Sequence, residues 1–392
     1  MIMKAKNQFL PIALSILSLL AANTAQAQIA IIALENKVQL INGTSTVVAN
    51  PKSDGAAILD LSVSPPKLVA QIDLPFATVL GPPTTVALTP NGSMALVGSG
   101  QKHNPDDKTK LTNNDIVTLL DVQSSPPQVL GTVKVGKQPT GIAVNPAGTL
   151  ALVANRGEGT VSVLKLSNNQ ATLAGLVALG KADSGPSGIV FTPDGKNALV
   201  TRDGDSFVSV LNIDGDTVTE AKRDITVGTR PYGITMASHG KWAAVANIGR
   251  GAGDSDTLSI IDTSKPPFRT IETFSVGQTP EGVMASPDGL HIAVVVMNGS
   301  NKAKANVFYN DAGQLQIWRV GTGGTASTKV AQANIGHWSQ GALFSKDGKT
   351  VIAMNMIEND IQVFSFNGSS LQETGRIKLQ GGPAAGRIAG VN

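Results

Sequence analysis

Two side chains in this chain are suited to moving a proton near neutral pH. His337 brings an imidazole, a side chain of the kind used for proton transfer in that range, and Glu281 is a carboxyl that partial burial could raise to it. Around them stand groups suited to gripping an anion. Arg156, Arg202, Arg230 and Arg387 could each present paired N–H donors to a carboxylate or phosphate, with Arg250 nearby. Asp203, Tyr232, Asn247, Asn298, Trp338, Gln340 and Asn355 complete the candidate set. Gathered at one place, these residues would bind a small anionic ligand. With His337 and Glu281 engaged, they could hydrolyse or isomerise a small carboxylated substrate.

What gathers them is a repeat. A Gly, or Thr85 in its place, opens an apolar stretch, and a turn Gly follows seven residues later. The pairs are Thr85/Gly92, Gly141/Gly148, Gly188/Gly195, Gly233/Gly240, Gly282/Gly289 and Gly341/Gly348. Successive openings lie 45 to 59 residues apart, a period that signals a propeller of short β segments. In residues 139–180, Thr140–Val144 reads as an apolar innermost strand A, turned at Pro146-Ala147-Gly148. Leu150–Ala154 returns as strand B, Thr160–Leu166 alternates as strand C, and Leu173–Leu179 forms an outer strand D. The same reading starts at Pro83, Pro186, Pro231, Pro280 and Ser339.

A seventh unit is split between the ends of the chain. Thr46–Asn50 reads as its strand B, Ala56–Leu61 as C and Lys67–Leu74 as D. Pro383–Ile388 supplies strand A, with Val38–Ile41 competing for that position. The expected fold is therefore all-β: a seven-bladed propeller of four-stranded antiparallel blades, its ring closed by N- and C-terminal strands in one blade. Closure of this kind covers the edges that an open sheet would expose. Strand parity then places the Pro-x-Gly openings and the B–C loops at one mouth of the central channel. The longest of those loops, 99–115, 247–256 and 298–314, should crowd that mouth, which marks it as the binding face.

The strand-B endings Val48-Ala49-Asn50, Val153-Ala154-Asn155, Val200-Thr201-Arg202, Val245-Ala246-Asn247, Val296-Met297-Asn298 and Ala353-Met354-Asn355 resemble the YVTN family of β-propeller repeats. The Pro-x-Gly openings and Pro-Asp-Gly turns share the likeness, which spans nearly all of residues 28–392. The resemblance implies a propeller. It leaves function open, since that superfamily includes lactone hydrolases, muconate-cyclising enzymes, haem-binding domains and plain binding proteins.

Residues 1–27 read as a secretory leader rather than as structure. Lys4 and Lys6 form a basic start, Phe9–Ala22 an apolar core, and Ala25-Gln26-Ala27 a cleavage site. Residues 28–392 would then form one exported domain, periplasmic or secreted, without a membrane anchor and as a monomer. The absence of Cys excludes disulfides, thiolate metal sites and covalent haem attachment. Four scattered His residues offer no multi-His metal site, and no cofactor is expected. Without Lys4 and Lys6 there remain 29 basic and 28 acidic residues, a net charge of +1. That charge, with 4% aromatic residues, argues against nucleic acid. Two readings follow. One is a propeller binding a small anionic ligand or a protein or peptide at its mouth; the alternative is a lactonase-like hydrolase or isomerase using His337 and Glu281 with the arginines.

Overall fold

A computed structural model describes Met1, residues 28–77 and residues 83–389. The expected leader therefore lies outside the described residues, apart from Met1. Seven four-stranded antiparallel sheets form a ring of blades, as the repeat requires. Blade 1 is the split one, with Gly382–Ile388 innermost, followed by Ile29–Glu35, Asp54–Asp60 and Lys67–Leu74. Blades 2 to 7 follow in chain order, their innermost strands being Val86–Leu88, Pro139–Val144, Pro186–Phe191, Pro231–Met236, Pro280–Ala285 and Ser339–Phe344. In blade 4 the outer edge is broken into Thr217–Glu220 and Ile225–Thr226.

The A strands are buried on both faces, which accounts for their almost continuous apolar sequence. Their glycines permit the close approach of one blade to the next. A Cβ on Gly141 would lie 2.1 Å from the Ser187 carbonyl oxygen. On Gly188 it would meet that of Tyr232 at 2.7 Å, on Gly233 that of Glu281 at 2.4 Å, and on Gly282 that of Gln340 at 2.6 Å. Each glycine thus abuts the middle residue of the next Pro-x-Gly. The repeated Gly is a steric requirement of ring closure, since no side chain fits between these backbones.

Three local expectations are corrected. Strand B of blade 1 is Ile29–Glu35, paired to the C-terminal strand with Ala30 opposite Ile388. Thr44–Val47 instead pairs with Val38–Ile41 in a separate hairpin inserted between strands B and C. Ile29–Glu35 is buried almost throughout, whereas Thr44–Val47 is polar and half exposed, so the apolar segment takes the interior position. In blade 6, Pro280 pairs with Val296, as Pro139 pairs with Asn155 and Pro231 with Asn247. Strand B there ends at Val296, and Asn298 stands two residues beyond the equivalent of Asn155. Finally, much of the 99–115 segment is an extension of the blade 2 ladder, with Gln101 opposite Asn113 and His103 opposite Leu111.

Gly141→Ala should lower the unfolding free energy by about 2 kcal/mol or more, because the ring leaves no room for a methyl group. Gly175→Ala is the matched control, since a Cβ there meets nothing within 4 Å. Its effect should stay within about 0.5 kcal/mol, and denaturant titration of both variants tests the steric account.

Candidate functional site at the channel mouth

The middle residues of the Pro-x-Gly openings form a ring at the start of the A strands: Thr84, Thr140, Ser187, Tyr232, Glu281 and Gln340, with Ala384 closing it. All are buried. In blades 3, 5, 6 and 7 the residue before the opening adopts left-handed backbone geometry, with φ of 57° at Gln138, 55° at Arg230, 53° at Thr279 and 48° at Trp338. In blades 3, 5 and 6 its carbonyl accepts the amide that follows the adjacent strand B, from Arg156 to Gln138, from Ile248 to Arg230 and from Met297 to Thr279. This bond fixes those entrances in an unfavourable conformation for a side-chain-bearing residue. Arg230 and Trp338, both left-handed, occupy equivalent positions before their openings.

One side of the mouth is charged. Asp203 is buried and receives Arg156 through two bonds, Nε at 3.0 Å and Nη2 at 2.6 Å. Arg230 Nη2 approaches the same carboxylate at 3.3 Å, and Ser187 Oγ donates to it at 2.9 Å. The Arg156 guanidinium lies 6.0 Å from the centre of the Tyr232 ring. Burial opposes the charge of Arg156, but the Asp203 hydrogen bonds and the neighbouring acidic groups outweigh it, leaving the guanidinium firmly protonated.

Glu281 belongs to the same electrostatic cluster but accepts no hydrogen bond from any described side chain. Burial pushes its carboxyl up to about 8. Arg230 and Arg156 pull it down, and Asp203 pushes it further up. Tyr232 is raised first by burial and then by the Glu281 carboxylate. A carboxyl poised near neutrality, flanked by two guanidiniums and a phenol, can exchange a proton while the cations stabilise developing negative charge.

The other side of the mouth is apolar. Trp338, Met297, Met356, Val38 and Ala384 form one buried cluster, with Leu40 and Leu111 packed against it. Val38 and Leu40 come from the inserted hairpin and Leu111 from the extended blade 2 hairpin. Further contacts join these insertions. Gly43 at the hairpin tip abuts the Ala303 backbone, His103 Nε2 bonds the Val48 carbonyl at 2.8 Å, and Lys302 Nζ donates to the Gly251 carbonyl at 2.8 Å. The long B–C segments thus collect on one face, as strand parity requires.

Of the residues expected at the mouth, Arg156, Asp203, Arg230, Tyr232 and Glu281 form one charged group, while Trp338 and Gln340 lie around the same entrance. The others are placed differently. His337 is separate from Glu281: its Nδ1 contacts Glu358 at 2.6 Å and its Nε2 contacts Asp311 at 3.4 Å. Arg202 is held within blade 4 by Asp205, Asp224 and Glu220, with Ser209 at 2.8 Å, and is not a channel residue. Asn247 and Asn355 likewise bond to strand C, through Thr257 and Ser259 and through Asp360 and Gln362. The physical reason is common to all three, since the last residue of strand B faces strand C. The next residue turns toward the mouth, as Arg156 and Asp203 do.

Asn298 binds the Ala312 carbonyl in its own loop, and Arg250 is exposed on the blade 5 B–C loop. Arg387 is the largest displacement: it lines a cavity among the A–B turns at the opposite end of the channel. Met297 and Met356, which follow strand B like Arg156, are mouth residues that sequence reasoning missed. The signal was the position itself, one residue past the strand end.

No protein-family model matches the chain, and no curated protein sequence does. Solved structures do resemble it. A Bacteroides uniformis protein provisionally assigned as a 6-phosphogluconolactonase aligns with TM-score 0.70 and 18% identity, over 93% of this chain and 100% of that one. The periplasmic gluconolactonase of Pseudomonas aeruginosa aligns with TM-score 0.65 and 16% identity, over 93% and 99%. Hydrazine synthase of Kuenenia stuttgartiensis aligns with TM-score 0.61 and 20% identity, over 80% and 91%. At these identities the likeness is one of fold.

The raised Glu281 carboxyl has a consequence for stability. Its folded value of about 8 exceeds the ordinary 4.5, so the native state binds more protons than the unfolded chain between those values. Its favourable contribution is complete below about pH 4.5 and is lost as pH rises through about 8. Glu35, raised to about 7, acts in the same direction. Glu281→Gln should therefore reduce the fall in unfolding free energy between pH 5 and pH 8 without removing it, as measured by urea titration at each pH.

Proposed function

We propose that this is an exported propeller that opens small lactones at the charged side of its mouth, with Glu281 as the proton-transfer group. The observation carrying this reading is the position of Glu281: a buried carboxyl without a hydrogen-bond partner among the described side chains, within electrostatic reach of both Arg230 and Arg156. The names of two structural neighbours, a provisionally assigned 6-phosphogluconolactonase and a periplasmic gluconolactonase, agree with that chemistry.

In the proposed reaction ionised Glu281 takes a proton from water as the oxygen attacks the lactone carbonyl carbon. Negative charge moves onto the carbonyl oxygen, facing the guanidinium edges of Arg230 and Arg156. As the tetrahedral species collapses, the ring C–O bond breaks and protonated Glu281 returns the proton to the departing alkoxide. The product is a hydroxycarboxylic acid, which releases its carboxyl proton to solvent and leaves as the hydroxycarboxylate. Asp203 positions both arginines and takes no proton in this scheme. The charged side would hold the reacting ester and the Trp338–Met297–Met356 side the less polar part of the substrate.

The apolar cover on half of the mouth favours a second reading, in which the same groups bind a small anionic ligand without turnover. A panel of sugar and aliphatic lactones separates the two. Glu281→Gln should lower kcat at least a hundredfold, and wild-type kcat/KM should rise about tenfold per pH unit up to about pH 8 and then level. His337→Ala should retain wild-type rates. Turnover no faster than spontaneous hydrolysis, or a fully active Glu281→Gln, would leave ligand binding as the function.

A further inference from the structure

The end of the channel opposite Glu281 holds a second feature. A cavity of about 380 Å³ opens among the A–B turns, lined by Leu88, Val144, Phe191, Met236 and Ile388 together with Arg387. No acidic residue is among its described lining residues. Arg387 is 8% exposed, yet its guanidinium makes no hydrogen bond or ion pair with any described residue. Every other mostly buried arginine is paired: Arg156 with Asp203, and Arg202 with three carboxylates. Burial alone pulls Arg387 down to about 10, with no acidic neighbour offsetting it. It therefore stays protonated at neutral pH, a buried cation with no counter-charge among the described residues in a mostly apolar chamber, which is costly to stability.

We propose that this chamber is a binding site for a small monocarboxylate with an apolar body, its carboxylate paired to Arg387 and its body against Phe191, Met236 and Val144. A single planar guanidinium matches a carboxylate through two parallel bonds. A phosphate dianion would require further cations, and the lining offers none. The cavity falls in the size range of small-molecule sites, with a mostly apolar wall and a few polar groups, Ser238 and Ser286 beside the single cation Arg387, as such sites commonly have. The site lies at the far end of the channel from Glu281 and does not depend on lactone chemistry at the mouth.

Calorimetric titration with 4-phenylbutyrate and with its neutral amide tests this. The carboxylate should bind the full chain at least tenfold more tightly than the amide. Arg387→Met should abolish that preference while raising the thermal midpoint, because it removes an unpaired buried charge. Ala143→Leu, which narrows the cavity and leaves the guanidinium in place, should also weaken binding at least tenfold, and it serves if Arg387→Met does not fold. Arg230→Gln should leave binding unchanged. Equal affinity for carboxylate and amide, no binding of either, or loss of binding in Arg230→Gln would overturn the proposal.

Discussion

The structure depends on how closely seven innermost strands approach one axis. At four openings, those of blades 3 to 6, the glycine α-carbon lies against the carbonyl of the middle residue of the next blade's opening, at distances that would place an added Cβ 2.1 to 2.7 Å from oxygen for Gly141, Gly188, Gly233 and Gly282. Those contacts draw Ser187, Tyr232, Glu281 and Gln340 into one ring. Six of the seven middle residues are polar or ionisable, although the strands that carry them are otherwise apolar. The closeness that closes the fold also assembles the mouth.

Within that ring the blades are not equivalent. Blades 3 to 6 contribute Arg156, Asp203, Arg230, Tyr232 and Glu281, while blades 6, 7 and 1 contribute Met297, Trp338, Met356 and Ala384. Equivalent backbone positions carry opposite chemistry, as Arg230 and Trp338 show at matching left-handed residues. The backbone supplies a repeated set of attachment points, and side-chain identity divides the entrance into a charged half and an apolar half. Such a division suits a ligand with one anionic and one less polar end.

Among the described residues, two buried ionisable groups lack the partners that satisfy their counterparts. Glu281 answers this by shifting its carboxyl toward neutrality, whereas Arg387 remains cationic inside a cavity. Asp203 shows the alternative, a buried carboxylate satisfied by two arginines and a serine. A sequence under pressure for stability alone could have paired or replaced Glu281 and Arg387. Their places at opposite ends of one channel are the basis of the two sites proposed above.

The repeat alone determined the number of blades, the split of one blade between the two ends of the chain and the face on which the long loops gather, while the choice of Pro383–Ile388 over Val38–Ile41 as the closing strand came from the structure. The first three follow from glycine spacing and strand parity, which are local and periodic. The repeat also placed Arg156, Asp203, Arg230, Tyr232 and Glu281 among a larger set of mouth candidates, because Pro-x-Gly and the ends of strand B are recognisable frames. Only the tertiary structure decided which neighbours faced the channel. Side chains alternate along a strand, so Arg202 points into its blade while Asp203 reaches the mouth. The two-residue offset in blade 6, the capture of His337 by Glu358 and the isolation of Arg387 each depend on residues distant in sequence, whose contacts no local spacing encodes.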